Sequence, residues 1–244
     1  ILREDGKEPW QMITGSKDLG LYKFNKHLPL LAYSGQQGYW DIPIPTQDDI
    51  DYVKNPQDIP NIEWSQKIQK AVFRGNPTGC GYTTETNMRL KISTLNSPLL
   101  DAGIIQNKSS SLKFDPIEGL GELNQAQIKK VPKLDLINEQ IKFKYIVHID
   151  GNVLAYRLLK SMLLGSLILR VRSPYIHWLD HIMEEGKHFI YVKEDLSDLE
   201  QRIEWCIQND TKAKKIAQQG QRFAQKVLTK DFINKYFLKL LKSL

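Results

Sequence analysis

From Gln66 to Gln208 short β-forming runs alternate with helical patterns, and no other feature of the chain constrains its fold as much. Lys70–Arg74 (KAVFR) reads as a short buried strand, Thr84–Leu95 as a helix and Phe143–Ile149 (FKYIVHI) as a strand. Val153–Leu164 carries a helical pattern, Ser166–Val171 a strand pattern, and Tyr175–Glu184 a helical one. His188–Val192 is the next strand, and Leu196–Gln208 the next helix. Asp195 or Ser197 suits the cap of that helix, because its side-chain oxygen accepts a free first-turn amide. Strand, helix, strand, helix is the pattern of a parallel sheet, since parallel neighbours need a long crossover. The tail Thr211–Leu244 reads as two further helices, and Ile233, Tyr236, Phe237, Leu240 and Leu241 form an apolar stripe that has to be buried. The opening stretch differs. Pro9, Pro29, Pro43, Pro45, Pro56 and Pro60 fall there with Gly15, Gly20, Gly35 and Gly38, which predicts short elements and long loops. The chain therefore divides into an N-terminal part (1–65), a parallel-sheet domain (66–225) and a C-terminal helix (226–244).

Composition matters here for what it excludes. Over 244 residues, hydrophobic residues are 41% and charged residues 25%, so disorder, collagen and coiled coil do not describe the whole. The longest apolar stretch, Met162–Val171, is broken by Gly165, Ser166 and Arg170, too short for a spanning helix. The 34 Lys+Arg against 28 Asp+Glu leave a formal +6. A nucleic-acid footprint needs that charge concentrated, and the one tight run, Lys212–Lys215, sits in a helical pattern as a solvated face. Cys80 and Cys206 lie far apart with no CxxC or Cys/His spacing, which speaks against zinc and favours a reducing compartment. Oligomeric state leaves no mark on the sequence.

Two strand-to-helix turns have the chemistry of anion sites. Phe73–Gly81 places three glycines after a strand, where backbone amides approach a ligand closely, and Arg74 adds a permanent cation. The run matches neither G-x-G-x-x-G nor a Walker loop, so a tight turn with a surface arginine fits it equally. After Phe143–Asp150, Gly151-Asn152 turns into a helix that carries Arg157 near its start. A cation is disfavoured there, and a bound anion would remove the conflict. His177 and His181 stand four apart, but no H-E-x-x-H pattern accompanies them.

These motifs, in order, resemble the protein O-glucosyltransferase and capsule-associated-protein-like group, glycosyltransferase family 90. The likeness rests on Trp64, Phe73-Arg74-Gly75-Asn76-x-Thr78-Gly79, Asn87-x-Arg89 and Leu99–Ala102. It continues through Lys142–Tyr145, Asp150-Gly151-Asn152, Tyr156-Arg157-Leu158 and Leu164–Leu167, and ends with Tyr191–Leu199. Upstream, Trp40–Pro45 resembles the family's Asp-Ile-x-x-Pro segment, and Ile13–Asp18 its Asn-x-x-Asp segment with Thr14 in place of Asn.

The resemblance implies an α/β fold of the GT-B type, two Rossmann-like domains facing across a cleft with the C-terminal helix packing back on the N-terminal part. It implies an inverting, metal-independent transferase that moves glucose or xylose from a UDP-sugar onto a hydroxyl of a glycan or protein, with the UDP-sugar as co-substrate and no cofactor. By position, Asp18 is then the catalytic base, with Asp41 in reserve. Arg89 and Arg157 lie at the diphosphate. Arg74, Gly75, Asn76, Thr78, Gly79, Asp101, Gly151, Asn152 and Asp195 complete the donor site. Many lumenal members are rich in cysteine and this chain is not, so the expectation is the cytoplasm, with the endoplasmic reticulum or Golgi lumen as the family's alternative. The rival reading is a non-catalytic nucleotide- or glycan-binding module. A carboxylate facing the sugar distinguishes the two.

Overall fold

The computed structural model describes residues 30–39, 41–79, 81, 83–105 and 128–243. Their centre is a six-stranded parallel sheet of β4 (Ile68–Gly75), β5 (Leu100–Ile105), β6 (Lys130–Val131), β7 (Phe143–His148), β8 (Leu167–Val171) and β10 (Ile190–Val192). Its spatial order is β10-β8-β7-β4-β5-β6, which numbered by appearance is the doubly wound order 3-2-1-4-5-6. All six residues of β7 and all five of β8 are buried, as strands covered on both faces must be.

Two apolar clusters flank the sheet. On one face Leu90 and Ile92 of α2 (Met88–Thr94) pack with Leu199, Ile203 and Cys206 of α4 (Leu199–Gln208) and with Ala213 and Ile216 of α5 (Asp210–Val227). On the other, Leu158, Leu159 and Met162 of α3 (Leu158–Leu163) pack with Trp178, with Ala224 and Val227 at the end of α5, and with Ile233 of α6 (Lys230–Ser243). At the base of the sheet Lys67 is buried without a carboxylate. Its ammonium donates to Ile141 O at 2.5 Å, Leu164 O at 3.0 Å and Ser166 Oγ at 3.1 Å, and burial lowers its pKa to about 8.

The N-terminal part is small and fastened to this core. β1 (Leu30–Ala32) pairs in parallel with β3 (Asp41–Pro43), and β2 (Gly35–Gln36) pairs antiparallel with β9 (Tyr175–Ile176). α1 (Gln47–Lys54) opens with a reciprocal cap: the Thr46 hydroxyl accepts the Asp49 amide, and the Asp49 carboxylate accepts the Thr46 amide. Trp178 Nε1 also donates to Asp49 Oδ2 at 2.9 Å. α6 packs back as expected: Tyr236 Oη donates to Pro43 O at 2.6 Å, and the Tyr236 ring meets Trp178 edge-on at 4.9 Å. Among the described residues there is one Rossmann-like sheet, and the N-terminal part adds the β1–β3 pair and α1 beside it.

Four expected elements differ. The helix expected over Tyr175–Glu184 is absent. Tyr175–Ile176 pairs with β2 instead, and the following turn is closed by side chains: Asp180 Oδ2 accepts the His177 amide at 2.7 Å and His177 Nδ1 accepts the Leu179 amide at 3.2 Å. With no helix there, the four-residue spacing of His177 and His181 does not place them on one face. α4 starts at Leu199 rather than Leu196, because Leu196 takes a left-handed φ of 61° and Asp195 and Ser197 close a turn before it. α2 starts at Met88, where Asn87 caps it, and α3 starts at Leu158, so Arg157 stands at the cap position rather than inside the helix.

Candidate active site

The sheet changes direction between β4 and β7. β5 extends it to one side of β4, and β7 and β8 extend it to the other. In such sheets the loops at the carboxyl ends of those two strands part and leave a crevice for a ligand. Here the loops are 76–87 after β4 and 149–157 after β7, and they are stitched together. Arg89 reaches from the first turn of α2 under both. Its Nε donates to Asp150 O at 3.1 Å, its Nη2 to Ile149 O at 2.9 Å and its Nη1 to Thr78 Oγ1 at 2.6 Å. The Gly79 amide donates to Asn152 Oδ1 at 2.9 Å. A Cβ on Gly151 would lie 2.9 Å from Thr78 Oγ1 and 3.2 Å from Arg89 Cζ, so glycine is what lets the loops close. Gly79 sits at φ 142°, a conformation side chains avoid.

Asn87 and Asp150 hold the two walls in shape. Asn87 Oδ1 accepts the Arg89 and Leu90 amides as the cap of α2, while its Nδ2 donates to Pro77 O and Gly81 O, both at 3.2 Å. Asp150 Oδ1 accepts the Ala155 amide at 2.8 Å, and Oδ2 accepts the Ser173 hydroxyl at 2.5 Å. One carboxylate thus joins the loop after β7 to the loop after β8. Burial alone would raise its pKa, but the neighbouring His148, Ser173 and Ala155 more than offset this and hold it at about 2. Between these walls lies a crevice of ≈ 140 Å³ lined by Gly79, Asn87, Asp150, Gly151, Ser173 and Tyr175.

The electrostatics at the crevice are those of an unmet need for anions. Burial, together with the charge of Arg157, pulls the Arg89 pKa down to about 9, with Asp150 offsetting part of it. Burial lowers the Arg157 pKa as well. Among the described residues the Arg157 guanidinium has no hydrogen-bond or ion-pair partner, and its cationic carbon stands 5.9 Å from the Phe73 ring centroid. The buried Arg89 and the half-buried Arg157 thus set two mutually repelling cations beside the switch point, an arrangement that a nearby anion would stabilise.

The expected residues fall into distinct places. Thr78, Gly79, Arg89, Gly151 and Asn152 form the stitched loops, and Asn76 joins them by accepting from Arg89 Nη1 at 3.4 Å. Arg157 stands beside them at the α3 cap. Gly75 is the last residue of β4, where a Cβ would meet the Phe73 ring at 2.8 Å. Arg74 and Asp101 are committed to each other: Arg74 Nη2 lies 2.9 Å from both Asp101 oxygens, and Nη1 donates to Asp101 O at 2.8 Å. Asp195 is exposed and accepts the Ser197 amide at 3.0 Å. Asp18 lies outside the described residues, and Asp41 opens β3. Asn87 and Asp150 were not among the expected donor-site residues, although both fall in the motifs that carry the resemblance. For Asp150 the signal was there, because an Asp that ends a strand just before Gly-Asn has a carboxylate to satisfy, whereas Asn87 lay inside the helix expected over Thr84–Leu95 and its capping role follows from the later start at Met88.

Comparison with known proteins bears on the same residues. The model of the family described as Glycosyl transferase family 90 matches residues 17–244. Uncharacterized protein 035R of Invertebrate iridescent virus 3 is 34% identical over 257 residues, covering 96% of this chain and 23% of that protein. Human protein O-glucosyltransferase 3 is 31% identical over 225 residues, covering 88% of this chain and 41% of that protein. The chain thus spans less than half the length of these curated relatives. Among solved structures, Anabaena HepE in complex with UDP-glucose superposes with a TM-score of 0.46 at 15% identity, over 82% of this chain and 54% of that one, and no residue role is taken from it.

Proposed function

The chain belongs to glycosyl transferase family 90, and on that premise we propose that it binds a UDP-sugar and takes part in transferring glucose or xylose, with inversion, to a hydroxyl of a glycan or protein. The observation that carries this reading is the pair Arg89 and Arg157 beside the β4/β7 crevice, the second without a partner among the described residues. A nucleoside diphosphate matches that charge. Its two phosphates would meet the guanidinium of Arg157 and the amides of the stitched loops, and Arg suits them because its planar fork binds phosphate oxygens in pairs.

The reaction we propose is a single displacement. The acceptor oxygen attacks the anomeric carbon, the bond from that carbon to the β-phosphate oxygen breaks, and UDP leaves with the electron pair. The acceptor's proton passes to a carboxylate within hydrogen-bond reach. Charge grows on the β-phosphate as the bond breaks, and fixed cations stabilise it in place of a metal. Loss of one such donor costs ~10²–10³ in rate in comparable sites. Asp18 is our candidate for the carboxylate, with Asp41 in reserve. We place the reaction in the cytoplasm, on the low cysteine content alone.

Calorimetric titration of the protein with UDP tests the core of the reading. The expected result is saturable binding that falls at least about tenfold in Arg157→Ala, the size of one lost charged hydrogen bond. A folded Arg157→Ala protein that binds UDP as the wild type does would overturn it.

A further inference from the structure

A second cleft opens on the α3 side of the sheet, lined by none of the residues that line the crevice. Its volume is ≈ 430 Å³, within the ~300–1,000 Å³ common to small-molecule sites. Three pieces of chain wall it: Tyr52 of α1 with Gln57 and Asp58 beyond it, the turn 135–138 ahead of β7, and α3 with Arg157 and Lys160. Some polar groups there are already engaged. Asp135 Oδ1 accepts the Ile137 and Asn138 amides of its own turn, and Lys160 Nζ lies 3.6 Å from Asp48. Others are free: among the described residues the side chains of Tyr52, Gln57, Asp58 and Arg157 have no hydrogen-bond partner. Burial and the charge of Asp58 raise the Tyr52 pKa, so its hydroxyl stays a donor at neutral pH.

The chemistry of this lining excludes most ligand classes. Asp48, Asp58 and Asp135 outnumber the two cations, which speaks against a polyanion such as a nucleic acid filling the cleft. Among the described residues no group of three His, Cys, Asp or Glu side chains is disposed to hold a metal. Ile59, Leu136, Ile137 and Leu163 supply apolar patches between the polar groups, but not a continuous apolar wall. What remains is a neutral ligand with many hydroxyls. A carboxylate and a carboxamide accept from such hydroxyls, a guanidinium and a phenol donate to them, and the aliphatic side chains meet the ring faces.

We infer that this cleft binds the saccharide of a glycan acceptor, with Asp58, Gln57 and Tyr52 as its contacts and Arg157 as the residue it shares with the donor site. The inference rests on the donor reading above and names the acceptor class for it. Arg157 lines the cleft and is close enough to Arg89 for their charges to be felt, so an acceptor seated there would lie beside the proposed diphosphate position.

Saturation-transfer NMR with cellobiose, maltose, lactose and xylobiose tests it, run on the wild type, Asp58→Ala and Tyr52→Phe with and without saturating UDP. Asp58 is exposed and Tyr52 only partly buried, so both variants should fold. The expected result is that at least one disaccharide gives a signal that persists with UDP bound. That binding should weaken about tenfold in Asp58→Ala, the size of a lost charged hydrogen bond, and less in Tyr52→Phe. No signal from any of the four, an equal signal in both variants, or displacement by UDP would each overturn the inference. UDP binding by calorimetry separates the two readings. An unchanged UDP affinity in Asp58→Ala is expected, and a changed one would mean that the cleft is not a separate site. Failure of the wild type to bind UDP would sink the donor reading on its own, whatever the sugars do.

Discussion

Arg157 and Asp150 have opposite problems. Arg157 is a half-buried cation with no anion beside it among the described residues, and Asp150 is a buried anion whose two oxygens are both engaged. On the reading proposed above, the first binds the ligand and the second holds the loops. Arg157→Ala is expected to weaken UDP as described above while leaving stability close to wild type. Asp150→Asn should act differently. The amide keeps the shape, but one of its two ends can no longer accept, so either Ser173 or Ala155 loses its partner. We expect both thermal stability and UDP affinity to fall, with about 1–3 kcal/mol lost from folding. Unfolding and calorimetry on one preparation measure both, and a variant that loses neither would deny Asp150 its bridging role. Asp18→Asn belongs at this scale as well. A base variant should bind the UDP-sugar normally and transfer it ~10²-fold more slowly or worse. Transfer at the wild-type rate would send the search to Asp41.

At the scale of elements the sequence was most legible where burial is two-sided. Phe143–Ile149 and Ser166–Val171 read as strands, and both form strands with every residue buried. It was least legible where a side chain competes with the backbone for hydrogen bonds. Tyr175–Glu184 has the apolar spacing of a helix, but Asp180 and His177 take the first amides of that stretch, and β2 claims Tyr175–Ile176. Neither partner is visible from the local pattern. The glycines after β4, with Arg74 beside them, were visible as a candidate anion loop, and Arg89 came only through the resemblance. That Arg74 would be tied to Asp101 on the neighbouring strand was not, because it depends on register. The stitching of the two loops gives a test. Alanine at Gly151 brings its Cβ within 2.9 Å of Thr78 Oγ1, and Thr78 cannot move freely because Arg89 holds it at 2.6 Å. Gly151→Ala should cost about 1–3 kcal/mol of stability, as overpacking does, and should abolish most UDP binding. Unchanged UDP affinity would show that the loops close without this contact.

The whole molecule carries its acid sensitivity in a few buried groups. Burial pulls His177 down to about 3 and lowers His148 too, whereas in the unfolded chain both titrate near 6.5. Below about pH 6.5 the unfolded chain therefore binds protons that the folded one refuses, and stability falls as pH drops toward 3. Asp49 works the other way. Burial raises it to about 6, so between 6 and 3.8 the folded state takes up a proton first and gains stability on acidification. Burial lowers His188 as well, so three histidines outweigh one aspartate, and below 3.8 Asp150, held at about 2, adds to the loss. Melting temperature should thus decline gently from pH 6.5 to 4 and more steeply below. His177→Gln should flatten the upper part, and a flat wild-type profile would contradict the assignment. The proposed metal-independence is tested on the whole molecule too. Transfer should survive EDTA, and abolition by EDTA with rescue by manganese or magnesium would refute it.

Sheet order also has a consequence in time. β4 pairs on one side with β5, its near neighbour along the chain, and on the other with β7, which follows only after β5 and β6. Closing the short loop is quick and closing the long one is slow. The two walls of the crevice come one from each side of that long closure, so we expect the site to form late in folding. On that expectation, a nucleotide that bridges both walls grips contacts made after the main barrier. Saturating UDP should lengthen the lifetime of the folded protein in denaturant while leaving its rate of refolding unchanged.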